Sequence, residues 1–217
     1  MSKLATRSLK RKVPRLGRPP GQLGGDTRAS ILLAARGCFA SVGFERATNQ
    51  EIAAAAGITA GALYRHFESK PDLYLAVVRA ATAEIMPRVQ SALAGAHSLK
   101  AAFRALLELV AGLNQSERSA TQFLAGLPSE MKRHPEIARL VLADPGEMFT
   151  LFNQMVSRGV RAGEIPKEHA QRAVSTIIAT MMGASAYTNL LGPELGAEAI
   201  AGFIDLLENK LFLSPRV

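Results

Sequence analysis

The chain has 217 residues and a formal net charge of +8, and this length supports one large or two small domains that each bury a core. Its single cysteine, Cys38, excludes an intramolecular disulfide and a multi-cysteine metal site. No apolar run approaches the ~20 residues that cross a bilayer, and the basic, proline-bearing start does not resemble a secretory signal, so we expect a cytoplasmic protein.

Residues 1–25 form a basic, glycine- and proline-rich arm that we expect to be flexible in the free protein. The arm holds seven Lys and Arg side chains and no acidic one, whereas residues 26–70 carry a net charge of +1 and residues 71–217 are neutral. Nearly all the excess positive charge therefore lies in the arm, where it can attract a polyanion. Residues 16–21 resemble the Gly-Arg-Pro core of an AT-hook, which would place Arg18 in a narrow minor groove. A plain basic arm that adds non-specific affinity is an equal alternative.

The first predicted helix begins after Asp26 or Thr27, either of which can cap it. Gly43 is suited to end this helix, and Phe44 is expected to fold back onto the core. Apolar residues recur at helical spacing between these points and predict one buried stripe. The stripe consists of Ile31, Ala35, Cys38, Phe39 and Val42.

A short second helix is predicted from the spacing of Thr48 and Glu51, which is that of a capping box. Ile52 and the alanines after it favour a helix, and Gly57 can take the left-handed conformation that ends it.

A third helix is predicted after Thr59, which can cap it. Its first residues, 60–62, have almost no side chain, so this end can approach another surface closely. Leu63 and Phe67 lie four residues apart and are expected to face the core. In such a helix-turn-helix the last helix enters the major groove of DNA. The side chains directed outward are those of Tyr64, Arg65 and His66.

This stretch is similar to the N-terminal domain of the TetR family of bacterial transcriptional regulators, continuously from Thr27 to about Leu73. The family pattern has a threonine before Ile-Ala, then Ala-Gly, a capping serine or threonine, a tyrosine, an aromatic-Phe pair and a lysine. The matching residues are Thr48, Ile52-Ala53, Ala56-Gly57, Thr59, Tyr64, His66-Phe67 and Lys70.

The resemblance and the motif together predict a set of DNA contacts. Tyr64 is expected to offer its hydroxyl to a phosphate oxygen, and Lys70 to anchor a phosphate. Thr48 is expected both to cap its helix and to donate to a phosphate. The alternatives are that Tyr64 is a half-buried aromatic residue, that Lys70 is a solvated charge and that Thr48 only caps its helix. Arg65 and His66 could simply face solvent. The full set is Arg18, Thr27, Thr48, Thr59, Ala60, Gly61, Tyr64, Arg65, His66 and Lys70.

A longer helix is predicted to start at Ser69, with Pro71 in its first turn, and to link the DNA-binding core to the rest of the chain. Pro87 is expected to kink or end it near Ile85. Beyond residue 95 the pattern is helical throughout, with helices predicted at 98–114, 116–127, 135–142, 145–161, 166–191 and 193–212. Pro128 is expected to separate the second of these from the third.

The predicted fold is all-α. Residues 1–25 form the arm, residues 26–70 a three-helix helix-turn-helix domain, and residues 71–217 a larger helical domain for effector binding and dimerisation. The TetR resemblance implies that the last two helices pair with their copies in a second subunit as a four-helix bundle. The alternative is that they bury their faces within one chain. The predicted interface residues are Ile177, Met181, Ser185, Ile200, Phe203, Ile204 and Leu207, with the small residues 183–186 allowing close helix packing.

The resemblance also implies a small-molecule effector in the C-terminal domain. Flexible methionines and aromatics suit an irregular apolar ligand, although stripes of this kind are more often core. The candidate lining residues are Phe103, Leu107, Phe123, Phe149, Phe152, Met155, Met181 and Tyr187. We expect the effector to favour a conformation in which the two recognition helices no longer match half-sites ~34 Å apart. The change would be transmitted through the helix from Pro71 to Val89.

An enzyme is disfavoured, and no cofactor or metal is predicted. The four histidines lie on different segments without metal-ligand spacing, and residues 17–25 lack the Gly-Lys-Ser/Thr ending of a phosphate-binding loop. We predict a homodimeric transcriptional regulator, a repressor, which a small apolar effector releases from a palindromic DNA operator. An effector-independent or architectural DNA-binding protein is the alternative that the sequence leaves open.

Overall fold

The computed structural model describes residues 25–116, 118–144 and 146–211. Every regular element in these ranges is helical, which confirms the predicted all-α fold. The arm with Arg18, and the predicted end of the last helix at residue 212, lie outside the described residues. The helices are α1 Gly25–Arg46, α2 Asn49–Ala55, α3 Ala60–Tyr64, α4 Lys70–Ala94, α5 Leu99–Ser116, α6 Arg118–Arg133, α7 Pro135–Ala143, α8 Gly146–Arg161, α9 Ala170–Leu191 and α10 Pro193–Leu207, with a 3-10 turn at Lys167–His169 before α9.

The N-terminal core is built around Tyr74 of α4, which is 1% exposed. Its ring lies 4.9 Å from that of Phe39, 5.4 Å from that of Phe44 and 5.1 Å from that of Phe123. Such edge-on and tilted contacts add to the stabilisation that burial provides. Phe123 belongs to α6, so this core includes a helix from beyond residue 95. Phe123 thus packs in the N-terminal core and not among the C-terminal residues with which we predicted it to line an effector cavity.

The backbone of α1 breaks at Gly43, as the sequence predicted, because its φ of 80° lies in the left-handed region. The break lets Phe44 turn inward, where it is 6% exposed. Val42, which we predicted to be in the buried stripe, is instead exposed at the last position before the break.

The turn between α6 and α7 also packs against the N-terminal core. The ring of His134 lies 4.9 Å from that of Phe44, and its Nε2 lies 3.4 Å from Oε2 of Glu130. Ile137, one turn into α7, is 1% exposed and belongs to the same apolar cluster. Helices α1 to α3 therefore share one core with α4, α6 and α7, and this core crosses the domain division that we predicted at residue 70.

Two prolines that we expected to interrupt helices lie inside them. Pro87 is within α4, which continues to Ala94, and Pro128 is within α6. An interior proline costs about 3 kcal/mol. In α4 the residues after it, Val89 and Leu93, are buried, and each contributes about 1.5–3 kcal/mol. The free energy gained from burial on both sides of Pro87 thus exceeds the cost of the proline, and α4 continues past it. Of the two outcomes predicted near Ile85, a kink or an end, the end is wrong.

The C-terminal core is formed by the second half of α4 with α5, α8, α9 and α10. Helices α9 and α10 approach each other closely where Gly196 of α10 meets Thr188 of α9. A Cβ atom at position 196 would lie 2.1 Å from Oγ1 of Thr188, which itself donates to the carbonyl of Ala184. A glycine is therefore required at position 196. Residues 183–186, which we predicted to allow close packing at the interface, lie earlier in α9, and within the single chain a Cβ at Gly183 would meet no atom within 4 Å.

Candidate nucleic-acid interface

The turn before α2 contains the predicted capping box. Oε2 of Glu51 accepts from the Thr48 amide at 2.9 Å, and the Glu51 amide donates to the Thr48 hydroxyl oxygen at 3.2 Å. These bonds from Thr48 hold the pKa of Glu51 below its ordinary value. The Thr48 hydroxyl also donates its single proton to Glu51, at 2.8 Å. A phosphate would have to compete with Glu51 for that proton, so we revise the expectation that capping and phosphate donation are independent.

The start of α3 is open to solvent. Oγ1 of Thr59 accepts from the Ala62 amide at 3.2 Å and so caps the helix as predicted. Gly61 is exposed, and a Cβ added there would meet no atom within 4 Å. Leu63 and Phe67 are buried. This end of α3 therefore presents backbone with little side chain to the surface.

Tyr64 projects from the end of α3 and is 56% exposed. Its hydroxyl oxygen accepts a hydrogen bond of 2.9 Å from Nδ2 of Asn49 on α2. Since Asn49 is the donor in this bond, the tyrosine hydroxyl keeps its own proton for an outside acceptor. Sequence reasoning missed Asn49, because the two residues are fifteen positions apart and no local pattern relates them.

Lys70 is half-buried at the start of α4. Its Nζ donates to the carbonyl of Glu45 at 3.0 Å and lies 4.6 Å from the centroid of the Phe44 ring. Burial lowers the pKa of this ammonium group. Lys70 thus ties α4 to the end of α1, and a phosphate contact would have to use one of its two other N–H groups.

The remaining predicted contacts lie near these. Arg65 is exposed, His66 and Ala60 are half-buried, and Thr27 is half-buried in the first turns of α1. Arg28, which we did not predict, places its guanidinium carbon 5.0 Å from the centroid of Phe67. The α2–α3 unit therefore exposes hydroxyl, guanidinium and backbone groups of the kind that contact phosphates and base edges.

The eight predicted effector residues do not line one cavity. Six are packed in the C-terminal core, Phe123 lies in the N-terminal core, and Tyr187 is 42% exposed. A cavity of about 720 Å³ opens instead as a groove between α4 and α8, and Val141 of α7 also lines it. Its lining residues are Leu75, Val78, Arg79, Thr82, Ala83, Met86, Gln90, Val141, Asp144, Gly146, Glu147, Met148, Thr150, Leu151 and Gln154.

Two predicted interface residues lie inside the chain. Ile177 and Ile200 are each 3% exposed and pack in the C-terminal core, so they offer no surface to a second subunit. Met181, Ser185, Ile204 and Leu207 are half-buried, and Phe203 is 40% exposed. The outward faces of α9 and α10 carry other large apolar side chains, which we did not predict to be interface residues. They are Met182, Tyr187, Leu190, Leu191, Leu195 and Leu206.

No group of three or more His, Cys, Asp or Glu side chains in residues 25–116, 118–144 and 146–211 is placed to hold a metal ion. In the same ranges, none of the helices combines the length and the apolar character needed to cross a membrane.

Residues 31–77, from α1 into α4, match the family described as "Bacterial regulatory proteins, tetR family". The HTH-type transcriptional repressor BepR of Brucella suis is 29% identical over 172 residues, which cover 73% of this chain and 78% of BepR. The HTH-type transcriptional repressor AcnR of Corynebacterium glutamicum is 43% identical over 54 residues, which cover 25% of this chain and 29% of AcnR. Similarity therefore extends over most of one relative and over less than a third of the other.

Solved structures share the fold across both halves of the chain. Salmonella enterica GusR superposes with a TM-score of 0.67 at 22% identity, covering 88% of this chain and 99% of GusR. The regulator FadR from Bacillus subtilis, in complex with stearoyl-CoA, superposes with a TM-score of 0.62 at 16% identity, covering 84% of this chain and 97% of FadR. At these identities the likeness shows the fold alone.

Proposed function

The chain belongs to the TetR family of bacterial transcriptional regulators, and we propose that it is a cytoplasmic, homodimeric repressor that leaves a palindromic operator when a small effector binds. The observation that carries this proposal is the α2–α3 unit, where Asn49 holds the hydroxyl of an exposed Tyr64 by a bond of 2.9 Å. A hydroxyl fixed in this way needs little further ordering to contact a phosphate.

DNA recognition is assigned to the exposed face of α2–α3. The open start of α3, with Ala60 and Gly61, would enter the major groove, where its amides and Arg65 reach base edges. Tyr64 would fix the orientation through a phosphate on one side of the groove. The basic arm, with Arg18, would add affinity along the neighbouring DNA.

Dimerisation is assigned to the outward faces of α9 and α10. Leu190 is 80% exposed, and Leu191, Leu195 and Leu206 are each more than 40% exposed. Contiguous exposed apolar side chains mark contact sites between proteins. A second copy on this face gives the two-fold symmetry that a palindromic operator requires. Phe203 remains in the proposed interface, whereas Ile177 and Ile200 are left out of it because they are buried within the chain.

Effector binding is assigned to the α4–α8 groove. Its volume of about 720 Å³ lies within the range of roughly 300–1,000 Å³ that is usual for ligand sites. Val78, Met86 and Leu151 give it apolar walls, and Arg79 and Asp144 form an ion pair of 2.5 Å at its rim. An apolar ligand with a polar group fits this lining.

The groove suits regulation because α4 forms one of its walls. The same helix supplies Leu73 and Tyr74 to the N-terminal core, where both are no more than 1% exposed. A ligand that displaces α4 would therefore move the α2–α3 unit with it. A coupling of about 1–3 kcal/mol would change operator affinity roughly 5- to 150-fold.

The proposal is tested by fluorescence anisotropy of the protein on DNA from its own promoter and on scrambled DNA, across a salt series. We expect a preference for promoter DNA of about 10³-fold or more. Small molecules that raise the melting temperature are then added to the promoter complex, and we expect some of them to release it. Equal, steeply salt-dependent binding to both DNAs would contradict a specific reader. Specific binding that no stabilising ligand alters would favour the effector-independent alternative.

A further inference from the structure

A second cavity, of about 400 Å³, lies where the beginnings of α5 and α9 meet the end of α10. It shares no lining residue with the α4–α8 groove. Its volume also falls within the usual range for ligand sites, which is roughly 300–1,000 Å³. It is therefore a separate candidate site, and neither the proposed operator contacts nor the proposed effector groove account for it.

The floor of this cavity is apolar. Phe103 of α5 and Leu207 of α10 are half-buried, and Ile177 of α9 is buried beside them. These three side chains come from three different helices. An apolar chain lying on them would be removed from water along its length.

The rim of the cavity is mainly cationic. Lys100 and Arg172 line it together with His169, and both cations are exposed. In the described part of the chain, neither Lys100 nor Arg172 is ion-paired within 4 Å. The hydrogen bond from Lys210 lowers the pKa of Glu208, with Arg104 and then Lys100 adding to the effect, and the ion-pair partners of Glu208 are Lys210 and Arg104.

One acidic side chain, Glu164, also lines the cavity, and it is engaged elsewhere. Its Oε2 accepts a hydrogen bond of 2.6 Å from the backbone amide of Leu99, at the start of α5. The carboxylate thus caps a helix whose first amides have no partner within the helix. The carboxylate keeps its negative charge and offsets one of the two cations, so Lys100, Arg172 and Glu164 together leave a net charge of +1 at the rim.

We propose that this cavity binds an amphipathic anion, an unbranched alkyl chain that ends in a carboxylate. The carboxylate lies between Lys100 and Arg172, and the alkyl chain lies on Phe103, Ile177 and Leu207. Lysine and arginine both form charge-assisted hydrogen bonds with a carboxylate. An alkyl cation of the same length would face the same two positive charges and is rejected.

The test is isothermal titration of the full-length protein with decanoate, held below the concentration at which it forms micelles. Wild type is compared with Lys100→Gln/Arg172→Gln and with a matched control, Arg161→Gln/Lys167→Gln. The control removes the same charge from two exposed cations that do not line the cavity. We expect at least tenfold weaker binding in the first variant, affinity within twofold of wild type in the control, and no saturable binding of decyltrimethylammonium to wild type.

Two further variants locate the alkyl chain. Thr176→Phe fills this cavity without changing its charge, and Ala83→Phe fills the α4–α8 groove. Both positions are exposed, and circular dichroism shows whether each variant keeps its fold. We expect Thr176→Phe to lose decanoate binding and Ala83→Phe to keep it. Loss in Ala83→Phe alone, equal affinity in every variant, or the absence of saturable binding to wild type would each overturn the inference. None of these outcomes depends on operator binding, so the proposed function stands or falls separately.

Discussion

The α2–α3 unit and the α9–α10 pair are both helix pairs with well-buried inner faces, but their outer faces differ in chemistry. In α2–α3 the large apolar residues Ile52 and Leu63 are no more than 1% exposed, and the surface consists of hydroxyl, guanidinium and backbone groups. In α9–α10 the surface carries large apolar side chains, with Leu190 at 80% exposure. The first face suits a hydrated polyanion and the second suits another apolar protein face. The same comparison shows which mutations should affect DNA binding and which should affect assembly.

The largest effect is expected from Leu190→Glu, which places a charge on the apolar face without touching the core. A central interface residue contributes about 2 kcal/mol or more, and a two-fold interface contains each residue twice. We therefore expect self-association to weaken by roughly 10³-fold in sedimentation velocity. Leu142→Glu, at a leucine of α7 that is 70% exposed, is the control and should leave the dimer intact. A dimer that survives Leu190→Glu would show that this face is not the interface.

Gly196→Ala should be the most destabilising change within a single chain. The added Cβ would lie 2.1 Å from Oγ1 of Thr188, so α9 and α10 must move apart. Overpacking of this kind costs about 1–3 kcal/mol, to be measured by urea unfolding. Gly126→Ala is the control, because a Cβ there meets no atom within 4 Å and the exchange favours a helix by up to about 1 kcal/mol. Equal stability of the two variants would mean that the close contact relaxes at little cost.

Tyr64→Phe should weaken operator binding without unfolding the protein. The lost hydroxyl removes one hydrogen bond to a phosphate, which is worth about 1 kcal/mol or roughly fivefold in affinity. Asn49→Ala should have an effect of the same sign, because it frees the hydroxyl to rotate. Ser157→Ala, which removes an exposed hydroxyl of α8 outside the proposed interfaces and cavities, is the control in the anisotropy titration. If Tyr64→Phe binds as wild type does, its hydroxyl contacts no phosphate.

The smallest effect is expected from Glu51→Gln, which weakens the capping box of α2. The folded state lowers the pKa of Glu51, so its contribution is present above the pKa of the unfolded chain and is lost as the pH falls through the folded pKa. Wild type should therefore be more stable than the variant at pH 7, and the difference should vanish in acid. Urea unfolding at both pH values measures it, with Glu68→Gln, at another exposed carboxylate, as the control. A difference that persists in acid would mean that charge is not its cause.

Features encoded within three or four residues could be predicted from the sequence. The capping bonds of Thr48 and Thr59, the break at Gly43 and the inward direction of Leu63 and Phe67 all follow from such local signals. They fix the α2–α3 unit almost completely.

Contacts between distant segments could not be predicted in the same way. Helical periodicity shows that Phe123 and Ile177 have an apolar face, but not which helix covers it. For this reason the sequence does not show that Phe123 packs in the N-terminal core or that Asn49 bonds to Tyr64, and none of the predicted effector residues lines the α4–α8 groove. The effect of Pro87 was mispredicted for a related reason, because the burial of Val89 and Leu93 that offsets its local cost is not visible in the pattern around the proline.

The packing of His134, Ile137 and Phe123 against the N-terminal core bears on protein engineering. A chimaera that carried only residues 1–70 onto another regulator would leave Phe39 and Phe44 without the ring of Tyr74, which packs against both, and without Phe123, which packs against Tyr74. The graft would have to carry the facing residues of α4, α6 and α7 as well. Exchange of operator specificity between relatives is therefore better made by replacing exposed side chains of α2 and α3 than by moving the whole segment.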